Sequence, residues 1–261
     1  MANVAVAPVQ AETVDYSNVI SFDVIKSTKE QVETKPKRPN NKIAGKSSEV
    51  YAFSTKEEIS AMINVFDKHI EGATNDNQKQ IARRNKMLFV IGINLGIRAS
   101  DLRSLKWDFF FDKQGDGSLK FKKFYVLQPL KQRKQKKFVK LYFNDAVKGA
   151  INNYISEYPI DNLGDYLFAS RKGNEPVVAS SLWRIVKDAA AEAGIEQNIG
   201  SHSLRKTFGK FCFMEAEDKT NALVLLQNIF NHSDSLTTMR YLGILDEDIS
   251  DMFNSINLGM D

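Results

Sequence analysis

The chain has 261 residues, 43% of them hydrophobic and 26% charged, which is enough to bury one large core or two small ones. Its one cysteine, Cys212, excludes an intramolecular disulfide and a cysteine-built zinc site and fits an intracellular, reducing compartment. The net charge of +4 is unevenly spread, and the longest apolar run, "MLFVIGINLGI" at 87–97, is too short to span a bilayer. With no basic start or apolar stretch in "MANVAVAPVQAE", neither export nor membrane insertion is expected.

Residues 1–53 read as a poorly ordered arm. They hold three of the six prolines and no helical periodicity, although "VISFDVIKS" suits a short strand, and "KPKRPNNKIAGK" at 35–46 carries five basic residues and no acid. The folded domain is expected from about Ser54. There Ser54 and Glu57 form a capping-box pattern ahead of Ile59, Met62, Ile63, Phe66 and Ile70 at helical spacing. A second helix runs through "NKMLFVIGINL" to Gly96, a left-handed cap, and a short third begins near Ser100 with Leu102 and Leu105 facing inward.

The period then changes. "WDFFF", "LKFKKFYVL" and "KKFVKLYF", separated by "DKQGDG" and "QPLKQRKQ", predict a small three-stranded antiparallel sheet. From Leu119 to Lys140 there are nine Lys or Arg and no acid, a stripe that suits a polyanion or, more plainly, a solvated hairpin. Helices resume over 144–158, 180–193, 202–213 and 220–230. An acidic tail helix at 246–258 puts Ile249, Met252, Phe253 and Ile256 on one face. Residues 246–261 contain five acids and no base, so the other 245 residues sum to +4 + 5 = +9. The predicted architecture is mainly helical with a small inserted sheet.

Three stretches carry chemistry. In "HSLRKTF", His202 and Arg205 stand three positions apart at a helix start, either an anion site beside free amides or a cap with a surface charge. In "GIRASDLRSLKW", Arg98 follows the capping glycine between apolar helices, where an arginine needs a charged partner or a ligand, and Asp101 is the candidate partner. In "NHSDSLTTMRYLGI", His232 follows a helix end and Tyr241 comes nine residues later, readable as a functional pair or as core packing. His69, on the polar side of the first helix, reads as structural or solvent-exposed.

In order and spacing these stretches resemble the three boxes of the tyrosine recombinases, the integrases of phages and mobile elements. "GIRASDL" looks like the first arginine box, "HSLRKTFG" like the His-x-x-Arg box and "NHSDSLTTMRYLGI" like the histidine and tyrosine box, over roughly residues 54–256. The resemblance implies the DNA breaking-rejoining fold and a cofactor-free, metal-free strand transfer. Tyr241 would attack phosphorus to give a 3′-phosphotyrosine, with Arg98 and Arg205 on the nonbridging oxygens, His202 accepting the phenol proton and His232 donating to a nonbridging oxygen. It also implies a lysine on the turn between the second and third strands as acid for the 5′ oxygen. Lys131, directly after "QPL", is favoured over Lys134 and Lys136.

As partners the resemblance implies double-stranded DNA, a homotetramer exchanging its C-terminal tail between protomers, and an accessory DNA-bending protein; as location, the cytoplasm at the nucleoid. Two departures stand out. Lys206 follows Arg205 where many relatives have histidine. The fifty residues before Ser54 are too short and irregular for the family's core-binding domain, so a minimal recombinase or a catalytic-domain protein reliant on partners is expected. A repressor built on the same scaffold and a type IB topoisomerase are the alternative functions. Every box position is occupied, which a non-cutting repressor does not require, and a tail that binds a neighbour does not suit a monomeric topoisomerase.

Overall fold

The chain divides between Lys46 and Ser47 into two units. A computed structural model describes residues 49–131, 137–170 and 175–256 of the second, apart from the side chains of 246–248. Residues 1–48 of the arm, with its possible strand, lie outside the described residues. The elements begin with α1 (Lys56–Glu71), α2 (Asp76–Leu95) and α3 (Ala99–Leu102), then β1 (Phe111–Lys113), β2 (Leu119–Phe121), β3 (Phe124–Leu127) and β4 (Val139–Tyr142). There follow α4 (Asp145–Ile155), α5 (Ala179–Glu192), α6 (Ser201–Glu215), α7 (Lys219–Phe230), α8 (Ser235–Leu242) and α9 (Ile244–Asn254).

The segment before α1 is part of the fold. Phe53 is buried and its amide donates to Thr207 Oγ1 at 2.9 Å, while the Tyr51 amide donates to the Asn198 carbonyl at 3.0 Å. The sequence offers the capping pattern twice, offset by one residue, and the second copy is used. The Thr55 hydroxyl accepts from the Glu58 amide, and the Glu58 carboxylate accepts from the Ser54 amide at 2.6 Å.

The central helix is α2, packed against α1, α4 and α6. Gly92 permits the last of these contacts, because a Cβ there would lie 2.6 Å from Leu204 Cδ1. The helix ends where expected, at Gly96, with φ 60. This close approach sets the chain leaving α2, which carries Arg98, against α6, which carries Arg205. Below it a large core runs from Phe53 through α2 to Leu204, and a smaller one of Leu226, Phe230, Leu242 and Ile244 packs against Phe208, Met239 and Tyr241.

Two sequence expectations need correction. The single three-stranded sheet is instead two antiparallel ribbons, β1 with β2 (Phe111 opposite Phe121) and β3 with β4 (Phe124 opposite Tyr142). "LKFKKFYVL" is not one strand, because the Lys122 amide donates to the Phe110 carbonyl (2.8 Å) and its ammonium to the Asp108 carbonyl (2.6 Å). These bonds turn the chain, so Phe121 packs on Phe111 and Tyr125 stacks on Phe109 at 4.1 Å. Secondly, the Tyr241 stretch forms its own helix, α8. Asp234 caps it by accepting from the Thr237 amide (2.6 Å) and hydroxyl (2.9 Å). Gly243, at φ 79, ends it and starts α9 two residues before the expected tail. Among the described residues no helix is long and apolar enough to cross a membrane.

Gly96 yields a stability prediction. A Cβ there would meet Phe208 Cδ1 at 2.1 Å, and φ is 60. Gly96→Ala is therefore expected to cost about 1–2 kcal/mol for the left-handed backbone and about 1–3 kcal/mol more for overpacking. Gly117→Ala, also at positive φ (86) but with nothing within 4 Å, should cost only the first part. Denaturant unfolding of both variants measures the difference, and equal losses would show that the Phe208 contact relaxes freely.

Candidate active site

Two helix C-termini build the floor of the site. The Gly96 carbonyl beyond α2 accepts from Arg205 Nη1 at 2.6 Å, and the Phe230 carbonyl at the end of α7 accepts from Arg205 Nη2 at 3.1 Å. Helix C-termini leave carbonyls without intrahelical partners and carry partial negative charge, so a guanidinium satisfies both needs there. The Phe230 ring lies beneath the Arg205 guanidinium, 4.3 Å from Cζ. Arg98, the N-cap of α3, is half-buried and reaches the same Phe230 carbonyl from Nη2 at 3.5 Å. The two guanidiniums thus converge on one carbonyl.

Arg205 is only 6% exposed, and its pKa is pushed down to about 10, chiefly by burial and also by Arg98, with Tyr241 and Asp101 opposing. It stays protonated at neutral pH. The guanidinium lies near enough to the Tyr241 phenol for the two to influence one another's ionisation. The Tyr241 ring packs against Phe230 (centroids 5.5 Å) and His232 (5.2 Å), and the Lys206 ammonium lies 5.4 Å from its centroid. Burial raises the phenol pKa, while Arg205 and Arg98 pull it back.

His232 follows Asn231, which caps α7 in the left-handed region at φ 58. That conformation turns the chain into the site, where His232 Nδ1 lies 3.1 Å from the Thr238 hydroxyl. The His232 pKa is lowered, first by burial and then by Arg205 and Arg98, with Asp234 opposing. His202 sits one turn before Arg205 on α6, and its pKa is lowered first by burial, then by Lys131, Arg205, Lys206 and Arg98. Both imidazoles are therefore held towards the neutral form.

The structure accordingly gathers Arg98, Arg205, His202, His232 and Tyr241 into one site, with Lys131 near enough for its charge to act on His202. Lys131 is exposed, and a residue passed over as a mere partner for Arg98 fixes its approach: buried Asp101 accepts from the Leu130 amide at 2.8 Å. Lys134 and Lys136 lie outside the described residues. His69 stays outside the site, on Glu192 at 2.7 Å.

A helical domain that converges two guanidiniums, two near-neutral imidazoles and a half-buried phenol has the donor set of a site for a phosphate ester. The chain matches the phage integrase family over residues 53–247, and it belongs to that family. It is 34% identical over 166 residues to the probable integrase/recombinase YoeC of Bacillus subtilis (64% of this chain, 80% of that protein). It is 30% identical over 199 residues to the tyrosine recombinase XerH of Campylobacter jejuni (75% of this chain, 49% of that one). In fold it is similar to XerA recombinase (TM-score 0.55, 19% identity, 81% of this chain and 66% of that one). The likeness extends to XerH bound to palindromic difH substrate in a post-cleavage complex (TM-score 0.54, 20% identity, 79% and 54%). The chain spans only about half the length of XerH.

Proposed function

We propose that the chain is a site-specific DNA recombinase, cutting and rejoining duplex DNA through a 3′-phosphotyrosine on Tyr241. One observation carries the reading: Tyr241, its ring packed on Phe230 and His232, stands beside the Arg205 and Arg98 guanidiniums that meet at the Phe230 carbonyl. With phosphate in the site, the two guanidiniums donate to the nonbridging oxygens, whose charge grows in the transition state. The phenol oxygen attacks phosphorus, its proton passes to neutral His202, and the bond to the 5′ oxygen breaks as Lys131 protonates that oxygen. His232 donates to a nonbridging oxygen. Attack by a second strand's 5′ hydroxyl reverses each transfer and seals the exchanged junction. A nicked suicide duplex, which loses its short 5′ fragment after cleavage, tests this by trapping the chain covalently on DNA. Absence of any adduct would leave the repressor reading.

The acid is tested separately. Lys131→Ala is expected to slow cleavage of ordinary DNA by about 10²- to 10⁴-fold. A substrate with sulfur at the bridging 5′ position leaves without protonation, so it should restore cleavage by Lys131→Ala but not by Arg98→Ala. Rescue of Lys134→Ala or Lys136→Ala instead would move the role.

The proposal includes a tetramer on DNA with an accessory DNA-bending protein, its protomers linked by the tail. What supports the tail's part is its surface: Ile249, Met252 and Phe253 on α9, and Ile256 just past its end, are 42–71% exposed immediately after the Tyr241 helix. Ending the chain after Leu245 is expected to leave a folded, DNA-binding monomer that forms no higher complex and exchanges no strands, as read by native gels on DNA and by thermal melting. Unfolding would place the tail in cis, and normal recombination would remove it from assembly.

A further inference from the structure

Lys206 follows Arg205 on α6, and none of the chemistry above uses it. A lysine ammonium is seldom buried without compensation, yet Lys206 is only 7% exposed. Two groups compensate it. The Glu49 carboxylate lies 3.0 Å from Nζ, and the face of the Tyr241 ring lies 5.4 Å from it, within the range of a cation–π contact. Glu49 is itself delivered by a fixed backbone, since Asn198 Nδ2 donates to its carbonyl at 2.5 Å and the Tyr51 amide donates to the Asn198 carbonyl.

We propose that Lys206 is a positioning residue for Tyr241: its ammonium, tethered by Glu49, holds the ring by its face so that the hydroxyl is presented to the scissile phosphate. The inference rests on Tyr241 being the nucleophile. A phenol attacking in line at phosphorus must keep its oxygen on one trajectory, and a rotation of the ring that moves the oxygen by an ångström loses much of the benefit of proximity. Phe230 and His232 pack against the ring. The ammonium adds a charged contact on the ring face. Glu49 stands on the segment before α1 and Lys206 on α6, so the ion pair ties the nucleophile's orientation to the entry of the chain into the domain.

The test uses the full chain on the nicked duplex under single-turnover conditions. Lys206→Met keeps the apolar stem and removes the charge, so adduct formation should slow about tenfold with DNA affinity within about twofold. Lys206→Arg, which keeps a cation over the ring, should recover to within about threefold of the native rate. Glu49→Gln should also slow the reaction, and adding it to Lys206→Met should slow it little further, because Glu49 acts on Tyr241 through Lys206. Fluorotyrosine labelling supplies a readout apart from rate. The Tyr241 ¹⁹F line, identified by its absence in Tyr241→Phe, should shift in both Lys206→Met and Glu49→Gln.

Native rates in Lys206→Met, or an Arg variant no better than Met, would overturn the proposal. Should Lys206→Met fail to fold, Glu49→Gln decides alone, since it is isosteric and the Glu49 side chain is half-exposed; an unmoved ¹⁹F line and an unchanged rate would then overturn the idea. An adduct that survives Tyr241→Phe would defeat the nucleophile assignment itself, a result distinct from an inactive Tyr241→Phe beside fully active Lys206 variants.

Discussion

Tyr241→Phe is expected to abolish the denaturant-resistant adduct on nicked DNA altogether while leaving the fold and DNA affinity nearly intact. The ring contacts with Phe230 and His232 and the Lys206 cation over its face do not involve the hydroxyl, so they survive the change. Only the phenol oxygen, with its electrostatic interaction with Arg205, is lost. Other tyrosines should tolerate the same substitution. Tyr125 and Tyr154 are held by stacking on Phe109 and Trp107, and Tyr142 is exposed on an outer strand, so none needs its hydroxyl for phosphoryl transfer. The measurement is a denaturing gel of each variant after reaction with the suicide duplex. An adduct in Tyr241→Phe would transfer the nucleophile to another residue, and loss of the adduct in Tyr125→Phe would identify that residue.

What the sequence made legible follows from local physics, and what it hid follows from contacts between distant residues. Helices α1, α2 and α4–α7 announce themselves by apolar spacing, and Gly96 marks an end that needs a positive φ. The α8 helix is hidden because it is only 8 residues long, too short for a sustained apolar period, between Asp234 and Gly243. The break at Lys122 depends on bonds to the Phe110 and Asp108 carbonyls, which no window of β-formers reveals.

The site divides in the same way. The arginines, histidines and tyrosine were recognisable as boxes, but the reason that Arg98 and Arg205 tolerate one another was not. Their shared partner is a main-chain carbonyl at Phe230, which has no residue signature. Asp101 does not pair with Arg98 as its place in the sequence suggests, because it accepts instead from the Leu130 amide, 29 residues away. Lys206 was set aside as a departure in the His-x-x-Arg box, and only the fold brings Glu49 and Tyr241 to it.

Substitution of Arg205 is expected to have the other large effect, on stability and chemistry together. Its guanidinium satisfies the buried Gly96 and Phe230 carbonyls and also faces the Tyr241 phenol. Arg205→Ala leaves both carbonyls without that donor, at about 1–3 kcal/mol each, and should cut adduct formation by at least about 10²- to 10³-fold. Arg205→Lys separates the two roles. A single ammonium can reach one carbonyl and restore part of the stability, but it cannot donate in parallel to two phosphate oxygens, so cleavage should stay low. Arg98 offers the contrast. Its one contact with the floor is long, at 3.5 Å to the Phe230 carbonyl, so Arg98→Ala should cost less than about 1 kcal/mol of stability and still lose cleavage about as severely as Arg205→Ala. Denaturant unfolding and single-turnover cleavage of the three variants measure both axes. Near-native cleavage by Arg205→Lys would mean that this guanidinium serves the helix ends alone and that the phosphate is held by Arg98 without it.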